Sequence, residues 1–135
     1  MLRKDAKIEL LRQVPLFERC SKRELTEIAS LADELQLPEA RELTREGAPG
    51  FELVVLVEGR AEVWRKGRLV NELGPGDFAG EIALVTGRPR TATVRTRGPS
   101  RVLVLAASGF RRLLRDVPSL QEKVLATLAA RLPDE

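Results

Sequence analysis

Residues able to do chemistry are concentrated in one stretch, 78–94, which reads FAGEIALVTGRPRTATV. Arg90 brings a planar guanidinium that can bind two oxygens of a phosphate at once. Gly80 lacks a Cβ, so a ligand can approach the backbone closely there. The apolar run after Glu81 is long enough for one helical turn, whose free N–H groups attract an anion. These features together predict a site for a small phosphate ester.

Glu81 narrows the class of ligand. A carboxylate beside a phosphate repels it, unless the ligand also carries a hydroxyl that donates to the carboxylate and Arg90 offsets the negative charge. A phosphate held together with a sugar hydroxyl describes a nucleotide. The alternative is a glycine-rich hairpin followed by a solvated arginine, with Glu81 as an ordinary acidic residue at a helix N-terminus.

Composition removes most competing chemistry. The chain has no histidine, and Cys20 is its one cysteine. A Ser-His-Asp triad, an internal disulfide, and zinc or iron–sulfur sites built from His and Cys ligands are therefore excluded. Cys20 is most simply a packing residue. We expect a binding protein that is not an enzyme and holds no metal.

Size and charge fit one ordinary globular domain of 135 residues, with 43% hydrophobic and 32% charged residues. The net charge is +3, but basic residues are spread along the chain, and one Trp and no Tyr offer little base stacking, so we expect no nucleic-acid binding. No apolar run approaches the roughly 20 residues of a membrane span, and the charged N-terminus lacks a signal-peptide core. A cytoplasmic protein that does not bind membranes is expected.

The stretch must be positioned by short strands that lie between helices. Apolar spacing before Pro15 predicts a first helix, and the capping box Ser21–Glu24 predicts a second. From Glu34 onward, short apolar runs alternate with Gly- and Pro-rich turns, as in a barrel or jelly roll. Ser108 is expected to cap a helix through Leu114. A last amphipathic helix is predicted to carry Leu120, Val124, Leu125, Leu128 and Leu132.

The motifs GEIAL and PRTATV closely resemble the phosphate-binding cassette of cyclic nucleotide-binding domains. That family includes kinase regulatory subunits, cyclic nucleotide-gated channels and catabolite-activator-type bacterial regulators. The resemblance extends over nearly the whole chain, through the paired glycines Gly47 and Gly59 and the GPGDF turn before the cassette. Phe51 departs from the family pattern at a loop position that is usually polar, and we expect it to be exposed.

The resemblance implies an α+β fold. An eight-stranded antiparallel β-barrel (a jelly roll, or double-stranded β-helix) would be flanked by N- and C-terminal helices. We expect a single cyclic nucleotide-binding domain over residues 1–135, with N-terminal helices in 1–33 and C-terminal helices in 107–135. The barrel would occupy 34–106 and contain the cassette, 78–94.

The resemblance also assigns roles within the pocket. Arg90 would pair with the exocyclic oxygens of a cyclic phosphate, and Glu81 would accept a hydrogen bond from the ribose 2′-hydroxyl. The main-chain N–H groups of Ile82 and Ala83 would complete the phosphate cradle. Val63 and Ala83 would line the purine, although Val63 serves equally well as ordinary core. The implied ligand-binding set is Gly80, Glu81, Ile82, Ala83, Arg90, Thr91, Ala92 and Val63.

Thr91 bears on the choice of nucleotide. Its hydroxyl could contact the phosphate or reach the exocyclic amine of a syn guanine, and relatives with Ser or Thr here include both cGMP and cAMP binders. We favour cAMP over cGMP as the ligand. One hydroxyl is worth about 1 kcal/mol, which allows selectivity of several-fold only.

The resemblance further suggests how occupancy is reported. Leu84 would act as a hydrophobic latch against the C-terminal segment around Phe110 and Leu114. Ligand would pull the cassette inward, and the C-terminal helix would fold over the purine as a population shift. Arg131 could cap the base, although a solvated arginine is the simpler interpretation. This helix could also serve a homodimer or an effector protein.

Three functions stay open at this point. The leading one is a sensor that couples cyclic nucleotide occupancy to movement of the C-terminal helices. A second is the sensor part of a Crp-type transcription regulator, whose DNA-binding domain would lie outside a chain that ends at Glu135; the ends of the chain favour the stand-alone case. A third is an interaction barrel that binds no nucleotide, against which the intact Glu81–Arg90 pair argues.

Overall fold

A computed structural model describes residues 4–49, 52–80 and 89–131, without the side chains of Lys4 and of residues 127–131. The N-terminal part comprises α1 (Lys4–Arg12), a 3-10 helix (Pro15–Phe17) and α2 (Lys22–Leu31). The predicted capping box is confirmed: Glu24 N–H donates to Ser21 Oγ at 3.1 Å, and Ser21 N–H donates to Glu24 Oε1 at 2.7 Å. This reciprocal pair sets where α2 begins.

Eight strands follow in the described residues, as the sequence predicts. They form two antiparallel four-stranded sheets with the orders β1-β8-β3-β6 and β2-β7-β4-β5. The predicted antiparallel jelly-roll architecture with flanking helices is confirmed. The strands are β1 (Ala32–Leu37), β2 (Glu42–Thr44), β3 (Glu52–Glu58), β4 (Ala61–Arg65), β5 (Arg68–Leu73), β6 (Phe78–Ala79), β7 (Thr93–Thr96) and β8 (Ser100–Ala106).

The central strands of the first sheet, β3 and β8, are buried on both faces, which explains the continuous apolar run in β3. Leu53 and Val55 pack in a cluster with the helices, whereas Val54 and Leu56 pack in a second cluster with residues of both sheets. Successive side chains of a strand point to opposite faces, so both sets in β3 must be apolar. The helical cluster also contains Phe17, Ile28, Leu103, Leu105, Phe110 and Leu113.

The C-terminal part comprises α3 (Ala107–Asp116) and α4 (Pro118–Arg131). The expectation that Ser108 caps α3 is wrong, because β8 ends at Ala106 and the helix begins at once, with Ala106 in the cap position and no side-chain cap bond. Pro118 occupies the first position of α4, where its missing N–H costs nothing.

The apolar face of α4 is narrower than predicted. Leu120 and Val124 are buried, but Leu125 is 64% exposed. Leu125 lies about 140° around the helix from Leu120, which places it off the buried stripe. The side chain of Leu128 and all of Leu132 lie outside the described residues. No helix in the described ranges is long and apolar enough to cross a membrane.

The first half of α4 lies against the N-terminal 3-10 helix. Lys123 forms an ion pair with Glu18, and Arg19 Nη1 lies 3.3 Å from Glu122 Oε2. The Lys123 ammonium holds the pKa of the Glu18 carboxyl below its ordinary value, chiefly by donating a hydrogen bond to it. Nearby Cys20 is half-buried against the helical cluster, as predicted, and its burial raises the pKa of the thiol.

Candidate functional site

The turn before β3 fixes the backbone of Arg90. Gly47 N–H donates to the Arg90 carbonyl at 2.8 Å, and Arg90 N–H donates to the Ala48 carbonyl at 2.8 Å. These two bonds extend the pairing of β2 with β7 beyond the regular strands. The position of the Arg90 Cα is therefore set by the 45–48 turn.

The guanidinium of Arg90 is fixed by main-chain oxygens. Nη1 donates to the Gly80 carbonyl at 3.1 Å, and Nη2 donates to the Glu52 carbonyl at 2.7 Å. Arg90 is only 7% exposed. A buried cation needs such acceptors, since desolvation would otherwise penalise its charge. The two bonds join β3, the end of β6 and the segment before β7 around one side chain.

Gly80 permits this arrangement. Its φ is +102°, in the left-handed region, and a Cβ there would lie 2.6 Å from the Glu52 carbonyl oxygen and 3.3 Å from the guanidinium carbon of Arg90. The sequence suggested that this glycine admits a ligand. In the structure, protein atoms already fill the space that a Cβ would need.

Thr91 and Ala92 form a bend, and β7 begins only at Thr93. Two hydrogen bonds from the β2 side stabilise this bend. Thr44 Oγ1 donates to the Ala92 carbonyl at 2.9 Å, and Glu46 N–H donates to Thr93 Oγ1 at 3.0 Å. Thr91 and Ala92 are half-buried.

Val63 lies on β4, directly opposite Val94 of β7. It is half-buried and packs against the cluster that contains residues of both sheets. The pairing of β4 with β7 thus places the apolar side chain of Val63 next to the strand that follows Arg90. A partly exposed apolar side chain at this position suits either a core role or contact with a flat base.

Several predicted positions lie outside the described residues. They include Glu81, Ile82 and Ala83 of the ligand set and the predicted latch Leu84. Phe51 and the side chain of Arg131 also lie outside them. Phe110 is fully buried and Leu114 partly buried in the helical cluster.

Sequence reasoning missed three groups that build the site: the carbonyl of Glu52, the hydroxyl of Thr44 and the main chain of Glu46. A backbone carbonyl has no sequence signature, since every residue carries one. Thr44 could have been suspected as a polar residue next to the Gly47 turn. Within the described ranges, no group of three or more His, Cys, Asp or Glu side chains could hold a metal ion.

A pocket of about 330 Å³ lies elsewhere, where the ends of β1 and β3 meet the start of β8. Arg101 lines it and forms an ion pair with Glu58 at 3.3 Å. Of the predicted ligand residues that the structure describes, none lines this pocket, so its shape carries no information about the Arg90 site.

Comparison with known proteins identifies the family to which this chain is similar. The cyclic nucleotide-binding domain family matches residues 34–117. A cAMP-dependent protein kinase regulatory subunit of Emericella nidulans is 33% identical over 115 residues, which are 84% of this chain and 28% of that protein.

Two solved structures extend the likeness. The regulatory domain of Toxoplasma gondii PKA, solved with cAMP, is 25% identical with a TM-score of 0.84, over 95% of this chain and 50% of that one. The catabolite activator protein of Thermus thermophilus is 26% identical with a TM-score of 0.79, over 87% of this chain and 58% of that one. The chain thus spans much less than the full length of each relative. Because the family match covers residues 34–117, well over half of the chain and both Gly80 and Arg90, this protein belongs to the cyclic nucleotide-binding domain family.

Proposed function

We propose that this chain binds a cyclic nucleotide, with cAMP preferred over cGMP, and acts as a sensor without catalysis. The observation that carries the proposal is the buried Arg90 guanidinium, held by the Gly80 and Glu52 carbonyls. A guanidinium whose plane is set in advance loses little freedom when it grips two phosphate oxygens.

The remaining ligand contacts follow the family pattern. Glu81 would accept from the ribose 2′-hydroxyl, and the N–H groups of Ile82 and Ala83 would face the phosphate. Val63 would contact the purine from β4. The whole chain would form one such domain, with Thr91 and Ala92 shaping the bend beside the cyclic phosphate.

The relatives support cAMP as the ligand. The Toxoplasma domain was solved with cAMP, and the Emericella protein is a cAMP-dependent regulatory subunit. Since this chain spans 28% of the Emericella protein, a kinase partner does not follow from the likeness. We propose instead an effector protein, or a second copy of the chain, that responds to the C-terminal helices.

For ligand binding to move the C-terminal helices, existing contacts of α4 must change. The first half of α4 is held on the N-terminal 3-10 helix by Leu120, Val124 and the ion pairs of Glu18 and Arg19. If ligand moves α4 toward the purine, these contacts must loosen. Hydrogen exchange with and without cAMP is expected to change in residues 107–131; unchanged protection there would eliminate the coupling.

Calorimetric titration tests the binding itself. After removal of co-purified nucleotide, cAMP, cGMP and 5′-AMP are titrated in parallel. We expect saturable cAMP binding, weaker cGMP binding by several-fold, and no comparable binding of 5′-AMP, which lacks the cyclic phosphate. A chain that binds neither cyclic nucleotide would favour the interaction barrel instead.

The likeness to the Thermus catabolite activator favours a second candidate, the sensor part of a transcription regulator. This chain would still bind cyclic nucleotide but would act through an attached DNA-binding domain. The open reading frame beyond Glu135 distinguishes the two: a helix-turn-helix there supports the regulator, and a stop codon supports the stand-alone sensor.

A further inference from the structure

Glu46 connects two parts of the second sheet that are distant in sequence. Its main-chain N–H donates to Thr93 Oγ1 at 3.0 Å, at the start of β7. Its carboxylate Oε1 accepts from Lys66 N–H at 2.9 Å, in the turn between β4 and β5. The pairing of β4 with β7 ends at Trp64 and Thr93, so the carboxylate reaches the hairpin beyond the last paired residues.

The turn at Lys66 has a conformational reason to need this acceptor. Lys66 has a φ of +50° and Gly67 a φ of +76°, so both central residues of the two-residue turn are left-handed. Such turns match the twist of a hairpin, but a residue with a side chain is disfavoured in this region. An acceptor placed on the Lys66 N–H favours the left-handed turn over its alternatives.

Glu46 is also adjacent to the residues that hold Arg90. Gly47 and Ala48, which follow it directly, make both backbone bonds to Arg90. Lys66, which donates to the Glu46 carboxylate, lies in the turn that follows β4, and β4 carries Val63. The segment that sets the Arg90 backbone therefore contacts the turn of this hairpin through the Glu46 carboxylate, in addition to the pairing of β4 with β7.

We propose that Glu46 is a positioning residue, which holds the turn of the β4–β5 hairpin against the Arg90 segment beyond the last pair of the β4–β7 ladder, so that Val63 and the Arg90 guanidinium stay at a fixed separation. This rests on the proposed function, because it assigns Val63 and the Arg90 guanidinium to the same nucleotide. Glu46 touches no ligand in this proposal. It acts through Lys66 on one side and through Thr93 and Arg90 on the other.

Three variants of the full chain test the proposal. Glu46→Ala removes the acceptor, Glu46→Gln keeps an oxygen that can accept from Lys66, and Glu42→Ala removes a carboxylate from the preceding strand without touching the hairpin. Amide exchange at Lys66 and Gly67 is measured without ligand, and cAMP affinity by calorimetry. We expect Glu46→Ala to speed turn exchange and to weaken cAMP binding by about 3- to 10-fold, the range of one hydrogen bond.

Glu46→Gln should restore both readouts to near the parent values, and Glu42→Ala should leave turn exchange unchanged. Parent-like exchange and affinity in Glu46→Ala would overturn the proposal, and so would a Glu46→Gln variant as impaired as Glu46→Ala. A parent chain that binds no nucleotide overturns the proposed function and the positioning role with it. The exchange measurement then shows separately whether Glu46 holds the turn.

Discussion

Arg90 and Gly80 occupy one space: Nη1 of the arginine donates to the glycine carbonyl at 3.1 Å, where a Cβ on residue 80 would collide with the guanidinium and with the Glu52 carbonyl. The two residues are thus a structural unit before any ligand arrives. The glycine admits the arginine, and the arginine ties the glycine to β3.

Gly80→Ala should therefore destabilise the fold as well as the site. A left-handed residue with a side chain costs about 1–2 kcal/mol, and the collision adds to that cost. Gly98→Ala is a matched control, because Gly98 has a φ of +86° and a Cβ at that position would meet no other atom within 4 Å. Urea unfolding should show a larger loss for Gly80→Ala; equal losses would mean that the Arg90 contact adds nothing.

Arg90→Ala should weaken cAMP binding by about 30-fold or more, since losing one partner of a buried charge pair costs about 2–5 kcal/mol. Arg90→Lys should also bind weakly, because an ammonium cannot make the two-pronged contact. Arg97→Ala is the control: Arg97 pairs with Glu62 and Glu72 on the same sheet, with its side chain 61% exposed. Calorimetric titration measures the cAMP affinity of each variant, and circular dichroism verifies that each variant is folded. Parent-like affinity in Arg90→Ala would refute the assignment of the phosphate site.

Thr44→Val should destabilise the bend after Arg90. Thr44 is 7% exposed and donates to the carbonyl of half-buried Ala92, so valine leaves a partly buried acceptor unpaired, at a cost toward the lower end of about 1–3 kcal/mol. Thr44→Ser keeps the hydroxyl and should retain more of the stability and of the cAMP affinity. If the valine and serine variants unfold at the same urea concentration, the hydrogen bond contributes nothing.

The Glu18–Lys123 pair predicts a dependence on pH. Lys123 lowers the pKa of Glu18 below its ordinary value of 4.5, so the stabilisation is present above that value and is lost as pH falls through the lowered pKa. The stability difference between the parent and Glu18→Gln should therefore shrink as the pH is lowered from 7 toward 3. In a chain that carries Lys123→Gln, the stability difference between Glu18 and Glu18→Gln should depend much less on pH, because Lys123 is the main cause of the lowered Glu18 pKa. A difference that is constant from pH 7 to 3 would contradict this prediction.

Local patterns account for what could be predicted from the sequence. The capping box of α2, the apolar run of β3 and the turns between strands act over a few residues, so their spacing shows them directly. The GEIAL and PRTATV motifs placed Gly80 and Arg90 in one site for the same reason. The prediction that Ser108 caps α3 was wrong because the end of β8 sets where that helix begins. The prediction that Leu125 lies on the apolar face of α4 was wrong because packing on the 3-10 helix selects which residues of α4 are buried.

By itself, the sequence determined the family, the order of elements and which residues are candidates for a phosphate site, since these depend on residue type and short spacing. Only the tertiary structure decided what holds Arg90. The Glu52 and Gly80 carbonyls, the Thr44 hydroxyl and the Glu46 carboxylate come from separate strands and turns. Backbone oxygens have no residue identity, and contacts between distant segments exist only once the two sheets have packed.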